Sequence, residues 1–155
     1  MKPSTVKYTF YGILLFVLIG ITYTNIAGKK QDEVFKQDFI QYQQAAQLLH
    51  NNKFDQAVNI LDKLVVKYPD EYTLYYQLGL AYSGLHDFQK AAIHYQNAID
   101  KRPALLEDTT FTFKMGESLY NINQLELAKA YLSHPVNEQF QAQKDELLKQ
   151  IEKEI

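Results

Sequence analysis

The chain has 155 residues, room for one domain plus an accessory segment, and a formal charge of −2. It has no cysteine, which excludes disulfide frameworks, thiolate zinc sites and cysteine nucleophiles and leaves the redox compartment open. Without Lys2, Lys7, Lys29 and Lys30 the 16 basic side chains fall to 12 against 18 acidic ones, a balance of −6 that offers no basic stripe to nucleic-acid phosphates.

Residues 1–7 form a short basic tail. From Tyr8 to Ala27 the chain carries no charge over 20 residues, and the centre of this run is Ile, Leu, Phe and Val. That length matches the hydrocarbon core of a bilayer, and Tyr8, Tyr11 and Tyr23 lie near the ends where aromatic belts form. The pattern predicts a transmembrane helix over 8–28, acting as a signal anchor. The competing reading is a cleaved signal peptide, but Asn25-Ile26-Ala27 lacks the small-x-small residues that a signal peptidase needs. Gly12, Gly20 and Gly28 are eight apart, not the four-residue spacing of a tight helix dimer. Lysines flank the run on both sides, so the positive-inside rule separates the orientations poorly. The short basic tail before it favours an extracytoplasmic soluble domain. Residues 29–37, which include Val34 and Phe35, read as a juxtamembrane linker or as a helical extension of the first repeat helix.

The next segment, 38–71, reads as two helices around an Asn51-Asn52 turn, because Asn accepts a left-handed backbone at little cost. Ala57, Val58, Leu61, Leu64 and Val65 line one face of its second helix, and Pro69 closes the segment. Residues 72–105 repeat the scheme more sharply. Tyr75, Leu78, Gly79 and Tyr82 recur at helical steps, then Ala91, Tyr95 and Ala98, and Pro103 ends the second helix. Small residues at Gly79 and Ala91 let facing backbones approach closely. A third unit, 109–135, carries Met115-Gly116, Leu119, Leu125, Ala128 and Leu132, with Pro135 cutting its second helix short. A closing helix in 136–155 presents Phe140, Leu147, Leu148, Ile151 and Ile155 on one side and Glu, Gln and Lys on the other.

The aromatic, Leu-Gly, Tyr, Ala, aromatic, Ala, Pro series at Tyr75, Leu78, Gly79, Tyr82, Ala91, Tyr95, Ala98 and Pro103 resembles the tetratricopeptide repeat (TPR). Moving back 34 residues places Ala45, Ala57 and Pro69 at the small, Ala and Pro positions, with Gln41 and Gln44 where an aromatic and Leu are usual. Moving forward 37 places Gly116 and Ala128, the three extra residues falling in the loop between units. The resemblance implies an all-α chain. A transmembrane helix would be followed by a short right-handed superhelical stack of about three TPR helix pairs (38–135) and a C-terminal capping helix.

Nothing in the chain predicts catalysis or a cofactor. There is no phosphate-cradling glycine loop, and His50, His86, His94 and His134 show no metal-ligand spacing. Acid pairs such as Asp70-Glu71 and Glu107-Asp108 fall at helix starts, where they complement the helix dipole. In TPR proteins the first helices of the pairs line a concave groove that binds peptide segments. By that resemblance the groove here would be lined by Phe39, Tyr42, Leu49, Tyr76, Leu80, Phe113, Glu117 and Tyr120, aromatic and largely neutral. No Lys or Arg stands at these positions, so the carboxylate-gripping use of the family is not expected. The implied partner is a protein segment, apolar or helical, with lipid contacted through 8–28 and no nucleic acid. The implied role is a membrane-anchored, non-catalytic adaptor or scaffold. The alternative is an oligomerising or enzyme-accessory subunit of a membrane complex, in envelope assembly, translocation or quality control. A further possibility is that the closing helix, or the region of Val34 and Phe35, folds into the groove and covers its rings.

Overall fold

The computed structural model describes residues 30–155, and among these it contains seven α-helices and one 3-10 helix with no strand. The predicted membrane span over 8–28 lies outside the described residues. Among the described residues no helix is long and apolar enough to cross a membrane. The chain divides into two compact units, Met1–Ile40 and Gln41–Ile155.

Of the first unit, residues 30–40 are described. They are helical throughout, with Val34, Phe35, Phe39 and Ile40 exposed. Residues 30–37, expected as a linker or a helical extension, are therefore helical, consistent with a segment that contains no Gly or Pro after residue 28.

The second unit is a succession of helix pairs. Its first helix, α1, covers 41–50. It is followed by α2 (Phe54–Lys67), α3 (Tyr72–Gly84) and α4 (Phe88–Lys101). The 3-10 helix (Pro103–Glu107) comes next, then α5 (Thr109–Asn121), α6 (Leu125–Leu132) and α7 (Glu138–Glu154). The 3-10 helix absorbs the three extra residues between the second and third pairs. Helix α6 stops three residues before Pro135, as the missing N–H of that proline requires.

Local chemistry sets each boundary. The Glu71 carboxylate accepts from the Thr73 amide (3.3 Å) and hydroxyl (2.8 Å) at the start of α3. Asp87 accepts from the Lys90 amide at 3.2 Å to open α4. Asp108 accepts from the Thr110 and Phe111 amides at 2.8 and 3.0 Å to open α5. These carboxylates satisfy orphan N–H groups of helix N-termini, which accounts for the acids at helix starts. Within each pair the turn is the same motif. Asn52, His86 and Asn123 take φ of 57°, 60° and 61°, and the following residue's amide reaches back five residues: Lys53 to Leu48, Asp87 to Tyr82 and Gln124 to Leu119, at 2.8–2.9 Å. This is the left-handed helix cap in which a 6→1 bond closes the first helix of the pair.

Two apolar clusters result. Ala45, Ala57, Leu61, Leu64, Leu74 and Leu78 form one, joining the first pair to α3. The larger one runs from Ala91 and Tyr95 on α4 through Phe111, Phe113 and Leu119 on α5 to Leu132 on α6 and Ile151 on α7. Close helix contact explains the small residues at repeat-defining positions. A Cβ on Gly79 would lie 2.4 Å from the Tyr95 ring, and one on Gly116 would lie 2.7 Å from Leu132 Cγ. In the first pair Ala45 and Leu61 hold the equivalent places, both fully buried. Ile155, expected on the inner side of α7, is instead exposed at the chain end.

Candidate functional site

The anticipated binding surface comprises one face of each first helix: Tyr42 and Leu49 on α1, Tyr76 and Leu80 on α3, and Phe113, Glu117 and Tyr120 on α5. Phe39 belongs to the first unit, where it is 51 % exposed. In the second unit the surface splits into two sections with different fates.

On α1 and α3 the residues are half-buried. Tyr42 and Leu49 rest on the first apolar cluster, and Tyr76 and Leu80 on the second. The Tyr76 ring meets Phe111 edge-on (centroids 5.3 Å) and lies 6.1 Å from Tyr95. Burial, helped by the Asp108 charge, pushes the Tyr76 hydroxyl up to about 12, so it stays protonated and available as a donor.

On α5 the expectation of an open groove is corrected. Phe113 is fully buried, its ring stacked on Phe140 of α7 at 4.6 Å and 15°. The Glu117 carboxylate accepts from the Gln143 amide and pairs with Lys114, both at 2.8 Å. The Tyr120 hydroxyl donates to Gln150 at 2.8 Å, with Glu154 a second acceptor at 3.3 Å. Burial and the Glu154 carboxylate hold the proton on this hydroxyl. All three groove residues of the third pair are therefore engaged by α7, the covering that the closing helix was able to supply. The physical reason is the short α6. Beyond their own partners α4 and α6, helices α3 and α5 contact the second helix of the preceding pair, α2 and α4, whereas α7 divides its contacts between α5 and α6. With only eight residues in α6 to rest on, α7 leans across α5.

Lys114 is a member of this site that sequence reasoning missed. Its ammonium lies 5.5 Å from the Phe113 centroid and 5.6 Å from that of Phe140, capping the ring pair. Its three-residue spacing from Glu117 was the available signal.

Behind the face lies a second cluster, on α3 and α4. His94 stacks on Tyr82 (5.2 Å, 3°) and on Tyr75 (6.4 Å, 30°), and its Nδ1 is buried without a partner. Burial holds its pKa below the ordinary value of 6.5; the Asp62 carboxylate pulls upward and the Lys90 ammonium downward. The Tyr95 hydroxyl is likewise buried and unpaired, the Ser83 hydroxyl being near it but outside hydrogen-bonding geometry. Among the described residues no group of three or more His, Asp or Glu side chains could hold a metal ion. A cleft between the 3-10 helix and the α6–α7 loop is lined by Leu106, Glu107, Thr109, Thr112, His134 and Pro135.

A tetratricopeptide-repeat family model matches residues 40–71. The matched segment is the first pair, which has Gln41 and Gln44 at signature positions and keeps Ala45, Ala57 and Pro69. Among solved structures, MamA from Desulfovibrio magneticus RS-1 (residue 41 to its end) shares the fold. Its TM-score is 0.54 at 23 % identity, over 71 % of this chain and 55 % of that one. The match thus spans little more than half of that chain. No curated protein matches.

Proposed function

We propose that this chain is a membrane-anchored TPR adaptor that holds a protein partner and carries out no reaction itself. The observation that carries the reading is the composition of the α1 and α3 face. Tyr42, Leu49, Tyr76 and Leu80 are half-buried apolar or aromatic side chains, with Ala46 and Ser83 in register between them and no Lys or Arg. Such a surface favours an apolar or helical segment, since rings offer large contact area with few rotatable bonds. Glu71, Asp87 and Asp108 cap helix starts, and none of these face positions carries a carboxylate for acid–base work. Residues 8–28 would supply the anchor, with the repeats on the extracytoplasmic side.

The test is capture of partner from membranes by the full chain and by a Tyr42→Ala, Leu80→Lys double variant, with circular dichroism to establish that the helices persist. Each change removes or charges a central contact worth about 1–2 kcal/mol, so capture is expected to fall by about tenfold or more. Undiminished capture by a folded double variant would refute the assignment of the face.

A further inference from the structure

Helix α7 shows what chemistry the α5 face accepts. It is 17 residues long, yet only Ile151 among them is buried. Its remaining hold on the stack is the Phe140 stack on Phe113, half-buried Leu147 and Leu148, and exposed or part-buried hydrogen bonds: side chains to Glu117 and Tyr120, Asn137 to Thr109 and Thr110 at the start of α5, and Lys144 to the His134 carbonyl. A segment with so little buried apolar surface and so many exposed polar contacts opens at lower free energy than the core it covers. It is joined to α6 by the non-helical stretch 133–137, which contains Pro135 and opens without breaking a helix. Undocking would leave an aromatic floor (Phe113), a cation over it (Lys114), a carboxylate (Glu117) and a hydroxyl donor (Tyr120) facing the vacated space.

We propose that α7 is an exchangeable occupant of the α5 face, and that the partner taken there is an amphipathic helix carrying the same pattern. That pattern is an aromatic residue, a carboxamide donor three residues on, an aliphatic residue seven on, and an acceptor and an aliphatic residue ten and eleven on. In α7 these are Phe140, Gln143, Leu147, Gln150 and Ile151. The aromatic completes the ring pair beside Lys114, the donor satisfies Glu117 and the acceptor takes a hydrogen bond from the Tyr120 hydroxyl. Charge fits as well: the rim presents a Lys–Glu pair already neutralised, so the pattern calls for neutral polar groups and not for a salt bridge. The proposal rests on the adaptor reading and extends its surface from α1 and α3 onto α5.

The probe is a fluorescein-labelled peptide of residues 137–155, titrated into the full chain by fluorescence anisotropy. In the wild type, tethered α7 competes at a high effective concentration, so the peptide binds weakly. A Phe140→Ala, Ile151→Ala chain, with α7 loosened and the α5 face intact, is expected to bind it at least about tenfold more tightly. A peptide carrying Phe140→Ala is expected to lose that gain. Should the loosened chain not fold, a Thr109→Cys, Asn137→Cys chain closed by a short bis-maleimide gives the same answer from the other side, since the two side chains touch at 3.1 Å outside the proposed pattern and locking the start of α7 to α5 abolishes peptide binding seen before cross-linking. Equal affinity for wild-type and loosened chains, or peptide binding that survives the lock, overturns the proposal. Dimerisation of the wild type that Phe140→Ala abolishes would assign the α5 face to α7 of a second copy and overturn it too. The assay involves no outside protein, so it can fail while partner capture through Tyr42 and Leu80 stands, and the reverse.

Discussion

Replacing Gly79 by alanine adds one methyl group where α3 and α4 touch. The new carbon would stand 2.4 Å from Cδ1 and Cε1 of Tyr95, against an ordinary contact of 3.4–4 Å, so the ring must retreat by about 1 Å. It has nowhere to go: Tyr95 is fully buried, with Phe111 edge-on at 5.4 Å and Tyr76 at 6.1 Å. Overpacking of this kind costs about 1–3 kcal/mol, and the boxed ring places it near the upper end. Alanine recovers about 1 kcal/mol of helix propensity. The net loss is about 2 kcal/mol, or a fall in Tm of about 8 °C for a domain of roughly this size. Gly84 gives the control. Its Cβ would also lie 2.4 Å from a ring, but the atoms met are the far end of half-buried Phe54, which can swing aside. Gly84→Ala is expected to move Tm by no more than about 2 °C. Thermal melts followed by far-ultraviolet circular dichroism compare the two. A Gly79→Ala chain as stable as Gly84→Ala would show that the α3–α4 crossing is not packed as described.

Three other outcomes rest on single side chains. Tyr95→Phe removes a buried hydroxyl without a partner, so it is expected to leave stability unchanged or raise it by about 1 kcal/mol in denaturant titration, despite the full burial of the ring. His94 has its folded-state pKa held below 6.5, so the unfolded chain binds more protons just below that pH. Stability is therefore full above 6.5 and falls as the pH drops towards the folded-state value, and His94→Gln is expected to flatten that slope in melts across the acid range. His86→Asn places at φ 60° the residue type that already holds the equivalent turns at 52 and 123, for an expected gain of about 0.5 kcal/mol, less whatever the contact with Phe88 contributes.

Much of this architecture was legible because it is local. The Asn51-Asn52 turn, the caps at Glu71 and Asp108, and the end of α6 ahead of Pro135 each depend on a few adjacent residues. Gly79 and Gly116 were legible as contact points because their spacing matched a repeat. That α7 covers α5 was legible only as one of two alternatives, since no periodicity links Phe113 to Phe140. Their stacking comes from where a short α6 leaves α7, a tertiary consequence of eight residues where α2 and α4 have fourteen. Lys114 escaped for the same reason. A groove list built at fixed steps from the small residue of each first helix omits a side chain that reaches the rings from the position next to Phe113. The left-handed His86 was missed because histidine, unlike Asn52, does not announce such a turn.

Whether partners meet the first-helix face can be read by photocross-linking. With p-benzoylphenylalanine replacing Leu80 on α3, or Val66 on the opposite helix of the first pair, where the side chain is 82 % exposed, illumination of intact membranes should yield a partner adduct from position 80 and none from position 66. Adducts from 66 without any from 80 would place binding on the second helices and contradict an aromatic first-helix face as the receiving surface.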